Sequence, residues 1–489
     1  AARAGSEGDN VARPGPEGGQ YSPLSQAQVR EIHQASLMVL ETTGILVENE
    51  AALRLYREGG ATVDGTRVQI PPAMAEAALR TAPKRVVLAG RDASQDIVLE
   101  GRRVYAGTGG SPTLVLDPGA DTPRAGTLED LARLVRLADA LDHCDFVVAP
   151  LYPTDMPRDD VPVNRFYACL RNTGKHVMGG VDSVAGARQV IRLGAMLAGG
   201  EDRLRARPFV SAITSWMVSP LRLDTEVTDI LLEWCRHGLP VALSSAPMAG
   251  STSPVTLAGT LVQLNAEQLS GIVLTQLARP GTPVLAGYIP GVADMKTGGY
   301  LGGAAEFGMM QAAAAQLAHF YGVPIYGSGG MSDAKIPDAQ AGYEKMATLL
   351  LAAMGGCNYI HHAIGMVTNM SAVSLEQAVI DDEIVGMAMR ALRGIDISDD
   401  TMALDAMARV GPGGHYLMDE HTTRYMRREF FYPRLADRQS RAMWEEGGKR
   451  DTRARAQERV GALLAGHEVP AWPSDVDAAI RDAFHIHLA

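Results

Sequence analysis

Cysteine is scarce in this chain, with four in 489 residues at positions 144, 169, 235 and 357 and no CxxC spacing. That excludes a disulfide framework and a thiolate metal site, and it suits a reducing compartment. Basic charge is also short: 45 Lys and Arg stand against 56 Asp and Glu, a formal charge of −11. With no basic run, nucleic acid is excluded as an expected partner. Long apolar runs are missing as well. The Ala- and Gly-rich stretches "MLAGG" and "LLLAAMGG" fall far below the roughly 18 residues that a membrane helix needs. The opening stretch "AARAGSEGDNVARPGPEGGQYSP" has no apolar core of the signal-peptide kind and reads as a disordered leader over residues 1–22. Together these absences lead to the expectation of a cytoplasmic protein without a membrane partner. Aromatic residues make up only 5%, so their placement carries information.

What is present is apolar patterning, at 46% hydrophobic content, enough for one large core with appendages. Residues 24–58 show helical periodicity, and short apolar runs at 66–70, 84–89 and 96–99 follow. This predicts a mixed N-terminal cap of helices and hairpins over 23–102. A repeat then begins, in which short apolar runs ending in Gly, Ser or Pro alternate with longer helical segments. The runs are Arg103–Ala106, Asp145–Ala149, Lys175–Gly179, Phe209–Ile213, Pro240–Leu243, Pro283–Ala286, Val323–Tyr326 and Cys357–His361. Parallel strands need crossovers, and these runs start roughly 30–43 residues apart, which accommodates a strand, a helix and a βα loop. The expected fold class is α/β, a TIM (β/α)8 barrel over 103–365, with a doubly wound sheet as the alternative. Residues 366–489, including the arginine-rich tract 419–465, read as a C-terminal helical extension.

In such a barrel the βα loops form the functional face. The stretch "GSGGMSDAK" at 327–335 follows the seventh run, and Gly329, Gly330 and Met331 offer backbone that a cofactor can approach closely. Asp333 is the preferred acid or electrostatic clamp, and Lys335 can receive a distal substrate carboxylate. The plainer reading has Asp333 capping a turn and Lys335 facing water. Tyr152, Trp216, Tyr288, Tyr326 and Tyr359 fall near strand ends, where ring faces can hold a methylated ammonium that offers no N–H. Trp216 and Tyr288 are the preferred cage members, with core packing as the competing role. His361 and His362 are candidate catalytic residues. Being adjacent on a strand, they are expected to point to opposite sides, so that only one enters the barrel. His415 and His421 form no HExxH motif, and no intrinsic metal is expected.

Several long segments, in order, carry a resemblance: "GGSPTLVLD", "NTGKHVMGG", "SPVTLAGTLVQLNAEQLSGIVLTQLARPGTPV", "GGMSDAKIPDAQAGYEK", "SLEQAVIDDEIVGMAMRALRGI" and "VGPGGHYLMDEHTTRYMRREFFYPRLADR". From about residue 25 onward the chain resembles the trimethylamine methyltransferase family, in its branch without pyrrolysine that includes glycine betaine:corrinoid methyltransferases. The resemblance implies a TIM barrel that moves a methyl group from a methylated or quaternary amine to reduced cobalt. That cobalt belongs to a corrinoid (cobalamin) carried by a separate partner protein, and a homo-oligomer is also implied. The alternatives are a barrel lyase or hydrolase using His and carboxylate acid–base chemistry, and a noncatalytic quaternary-amine binder.

Overall fold

The computed structural model describes residues 14–488. Eight parallel strands close into a barrel: β1 Tyr105–Thr108, β2 Phe146–Val148, β3 His176–Gly179, β4 Val210–Thr214, β5 Val241–Ser245, β6 Val284–Tyr288, β7 Ile325–Ser328 and β8 Tyr359–Ile364. All eight expected runs become barrel strands, each beginning one or two residues later than the apolar run. Proline explains part of the offset, since Pro240, Pro283 and Pro324 accept ladder hydrogen bonds from the neighbouring strand but have no N–H to donate.

Helices α1 Leu128–Ala140, α2 Val161–Asn172, α3 Val184–Ala198, α4 Thr225–His237, α5 Leu257–Ala278, α6 Ala305–Tyr321, α7 Ala339–Gly355 and α8 Leu375–Leu392 follow the strands, each packed on the next around the outside. Because α8 packs on β8 and on α7, the barrel runs to Leu392, and the expected boundary at 365 is corrected. An apolar run inside the presumed extension, from Leu375 to Leu392, is therefore the eighth barrel helix.

Helix α5 is 22 residues long and buried almost all round. A helix buried on every side needs a second neighbour besides the barrel. The N-terminal helices Gln26–Met38, Glu50–Glu58 and Pro72–Thr81 supply it. Residues 1–13 of the expected leader lie outside the described residues. Residues 14–22 are not free of structure: Gly15 N–H donates to the Tyr105 hydroxyl, Val104 N–H to Pro16 O, and Gly19 N–H to Met354 O.

Side chains alternate along each strand, and the alternation separates two cores. Ala106, Val147, Val177, Val210, Val241, Val284, Ile325 and Ile360 face the helices. Tyr105, Phe146, Val148, Met178, Ala242, Leu285, Tyr326 and Tyr359 fill the lumen, where they meet Val86, Leu88, Ile97 and Leu99. Those four belong to an antiparallel hairpin, Val86–Leu88 with Ile97–Leu99, that plugs the N-terminal end of the barrel. Among the described residues, no helix is long and apolar enough to cross a membrane.

Candidate active site

The ladder of β8 against β1 shifts register between Ile360 and Ile364, and within that shift His362 takes φ +67°. A positive φ at a non-glycine residue is uncommon and redirects the side chain. The expectation that one histidine turns away from the barrel is corrected by this bulge. The two rings lie against each other, with centroids 3.7 Å apart. His361 stacks on Tyr326 at 4.1 Å, Tyr326 on Tyr359 at 5.5 Å, and Tyr359 on Phe146 at 3.4 Å. The lumen thus holds a continuous column from Phe146 at its base to the imidazole pair at its top.

Burial sets the charge of this column. The His361 pKa is pushed down to about 3 by desolvation, and that of His362 is driven well below the usual range by desolvation, with His361 and Lys345 adding to the effect. Both rings are neutral at physiological pH. His361 Nδ1 lies 2.6 Å from the Gly327 carbonyl, which can only accept, so Nδ1 carries the proton and Nε2 presents a lone pair. His362 Nδ1 pairs with Ser328 Oγ at 2.8 Å. The hydroxyls of Tyr326 and Tyr359 are buried without a partner among the described residues, and desolvation keeps both phenols protonated.

The bulge is seated from behind. Asp381 accepts from Gly365 N–H at 2.7 Å, from Gln377 Nε2 at 2.8 Å and from Lys345 Nζ at 3.0 Å, while Lys345 also donates to Gly330 O at 2.7 Å. Both charges of this pair are fully buried. At the mouth, Gly109, Gly110, Ser111, Gly180, Ser215, Ser244 and Ala246 follow or end their strands. Ser111, Ser215 and Ala246 are exposed, and Gly110, Gly180, Ile213 and Ser244 are partly so. Small side chains therefore occupy this arc, while the imidazole pair itself stays buried.

The other sequence-predicted residues lie elsewhere. Trp216 is fully buried against α5, where a Cβ on Gly271 would stand 2.7 Å from its Cε2, so it anchors the outer core and not a cage. Tyr288 also faces outward, its hydroxyl donating to Asn265 Oδ1 on α5 at 2.8 Å. Both preferences are corrected, because strand alternation sends position 288 to the helices and position 216 lies past the end of β4. Tyr152 sits at the rim, donating to Asp182 Oδ2 at 2.6 Å, with one ring face under the Arg165 guanidinium at 5.2 Å. Burial and the neighbouring carboxylate push its pKa up to about 12.

Asp333 accepts from the amides of Gly302 and Gly303 at 3.1 and 3.2 Å, tying the loop after β6 to the loop after β7. Lys335 is exposed and donates to Asp333 O at 2.6 Å. Gly329, Gly330 and Met331 are buried: a Cβ on Gly330 would meet Ala363 Cα at 2.8 Å, and one on Gly329 would meet Ile360 at 2.9 Å. The expected approach of a cofactor to this backbone gives way to packing of the loop on β8.

Sequence reading missed Phe146, Ser328, Lys345, Gln377 and Arg165. Arg165 is buried on α2 and donates to Ala149 O, Leu151 O, Gly180 O and Ser111 Oγ, which ties together the ends of β2 and β3. A charged residue inside an apolar helical pattern, as in "NRFYACL" and "GYEKMATLLL", was the available signal for Arg165 and Lys345.

A closed (β/α)8 barrel, plugged at one end and carrying an imidazole pair towards the other, has the architecture in which barrel enzymes place their active sites at the C-terminal face. A family model described as trimethylamine methyltransferase (MTTB) matches residues 1–486, and the chain belongs to that family. Trimethylamine methyltransferase MttB of Desulfitobacterium hafniense (strain DSM 10664 / DCB-2) is 37% identical over 467 residues, covering 95% of this chain and 94% of that protein. Glycine betaine methyltransferase of Desulfitobacterium hafniense (strain Y51) is 36% identical, covering 94% and 96%. MttB2 of Methanosarcina mazei is 36% identical, covering 94% of each. Membership makes this chain a methyltransferase, with corrinoid-dependent methyl transfer as its activity. Among solved structures, dihydropteroate synthase of Yersinia pestis is 17% identical and covers 62% of this chain and 98% of its own, at a TM-score of 0.36 too low to carry any inference.

Proposed function

We propose that this chain takes a methyl group from a quaternary amine such as glycine betaine, bound in the barrel mouth above Tyr326, His361 and His362, and delivers it to the corrinoid of a separate partner protein. The observation that carries the reading is the imidazole pair stacked on an aromatic column at the C-terminal end of the axis, where burial disfavours the protonated form. A protonated pair would repel an ammonium ion. A neutral one presents lone pairs and ring faces, and a desolvated cation–π contact contributes about 2 kcal/mol.

A quaternary nitrogen needs no proton to leave. The C–N bond breaks with its electron pair returning to nitrogen, so the product amine departs neutral. The partner's corrinoid, as Co(I), supplies the nucleophile. This chain's residues align the methyl carbon with the barrel axis and hold water away from it. The small residues around the mouth, exposed at Ser111, Ser215 and Ala246, fit the approach of a bulky macrocycle from that side. A histidine whose pKa lies near 3 is a poor general base at neutral pH, which counts against lyase or hydrolase chemistry. Within this reading the chain works in the cytoplasm as a homo-oligomer.

The test incubates the protein with glycine betaine and related amines, with and without the reduced corrinoid partner, following corrinoid absorbance and demethylated product. Methylation of the corrinoid matched by product supports the proposal. Product formed without corrinoid would replace it with a lyase or hydrolase, and binding without product would replace it with a binding protein.

A further inference from the structure

A second cluster of ligating side chains lies away from the barrel axis. The segment after helix Ser474–Ala483 carries His485 and His487, two residues apart, and their ring centroids stand 4.2 Å from each other. Both meet the same oxygen of Asp160, at the start of α2: His485 Nδ1 is 3.0 Å and His487 Nε2 is 2.8 Å from Oδ2. Asn164, one turn further along α2 and fully buried, holds the segment in place. Its Nδ2 donates to His485 O at 2.9 Å and its Oδ1 accepts from His487 N–H at 2.8 Å, gripping the backbone on either side of Ile486. The two imidazoles are thereby presented by a fixed stretch of chain. Asp160 stands at the N-cap of α2, yet its side chain makes no capping bond, so the carboxylate has no duty to the helix.

We propose that Asp160, His485 and His487 form a binding site for a divalent first-row transition metal ion such as Zn2+. Two imidazoles and one carboxylate are a donor set that such ions favour. One potential ligand atom from each of the three residues lies within 4.8 Å of the others. The nitrogen-to-oxygen separations of 2.8 and 3.0 Å are those of hydrogen bonds, and they need widen only to about 3.3–3.6 Å to seat a tetrahedral ion at about 2.0–2.2 Å from each donor. Binding replaces the two contacts to Oδ2 with lone pairs directed at the ion. His485 is 74% exposed, so the ion enters from solvent and its remaining positions face water. The ion would staple the segment around 485–487 to the start of α2, which sits in the βα loop on the mouth side of the barrel. The chain sequence concealed this site because its donors are 325 and 327 residues apart.

Untagged full-length protein, stripped with a chelator and dialysed, is titrated with ZnCl2 and separately with CoCl2. Binding is read by calorimetry, bound metal by elemental analysis, and stability by the thermal midpoint. One ion per chain is expected, with a rise in the midpoint. The affinity should fall by about tenfold or more in His485→Ala and in Asp160→Asn, and binding should vanish in the double variant His485→Ala/His487→Ala. His415→Ala should leave it unchanged. His485 is largely solvent-exposed, so its substitution leaves folding intact, and a circular dichroism melt without metal checks this. The proposal is overturned if the wild type takes up no more metal than the double variant, or if affinity is the same in all variants.

Discussion

Alanine at position 109 would strike the imidazole pair directly. Gly109 follows β1 and lies against the bulge of β8. A Cβ there would stand 2.6 Å from His362 Cδ2 and 2.8 Å from its Cα, with the backbone nitrogen closer still. Since real Cβ contacts do not fall below 3.0 Å, the ring carbon must retreat by at least about 0.4 Å and the backbone by more. His361, Ser328 and Tyr326 are coupled to that ring, so the top of the column moves with it. Overpacking of this kind costs about 1–3 kcal/mol in stability. Displacement of a positioning group approaching 1 Å costs up to about 100-fold in rate. In the corrinoid-coupled demethylation assay, Gly109→Ala should lower kcat/KM by about 10- to 100-fold and lower Tm by a few degrees. Gly342→Ala is the matched control, since nothing lies within 4 Å of a Cβ at that position on α7. Wild-type kcat/KM in Gly109→Ala would refute the claim that the imidazole pair shapes the site.

Acid should destabilise the fold through its buried histidines. His361, near 6.5 when unfolded and about 3 when folded, contributes its stability fully above pH 6.5 and loses it as pH falls, by roughly 2 kcal/mol at pH 5. His176, at about 4, acts in the same direction. Denaturant midpoints at pH 7.5 and pH 5 should differ less in His361→Gln than in wild type, and an unchanged difference would contradict the burial argument. Lys345→Met should cost about 3–5 kcal/mol by stranding the Asp381 carboxylate, with partial recovery in Lys345→Met/Asp381→Asn. A loss below about 1 kcal/mol in a chemical melt would show the pair to be solvated. Tyr288→Phe should cost about 1–3 kcal/mol by leaving Asn265 Oδ1 without its donor, while KM for the amine stays put. A raised KM would return Tyr288 to the cage.

The barrel was legible because its signal is local and repeated. Each strand announces itself as a short apolar run closed by Gly, Ser or Pro, and each helix by its period. Legibility failed where one residue of phase matters. Tyr288 and Tyr326 sit in similar apolar runs, yet alternation sends the first to α5 and the second into the lumen. The histidine pair failed for a related reason: regular alternation separates neighbours, and only the bulge at φ +67° brings them together. The loop at 327–335 drew attention through its glycines, which serve packing on β8.

The linear order of apolar runs and turn residues along this chain suffices for a parallel eightfold barrel, because parallel pairing requires crossovers and crossovers leave a readable period. Long segments of similarity suffice for the family. The direction each side chain takes, the closure of the lower end by the 86–99 hairpin, and the neutral charge of His361 and His362 belong to the folded molecule. They arise from register and desolvation, which exist only once residues distant in the chain have excluded water from one another.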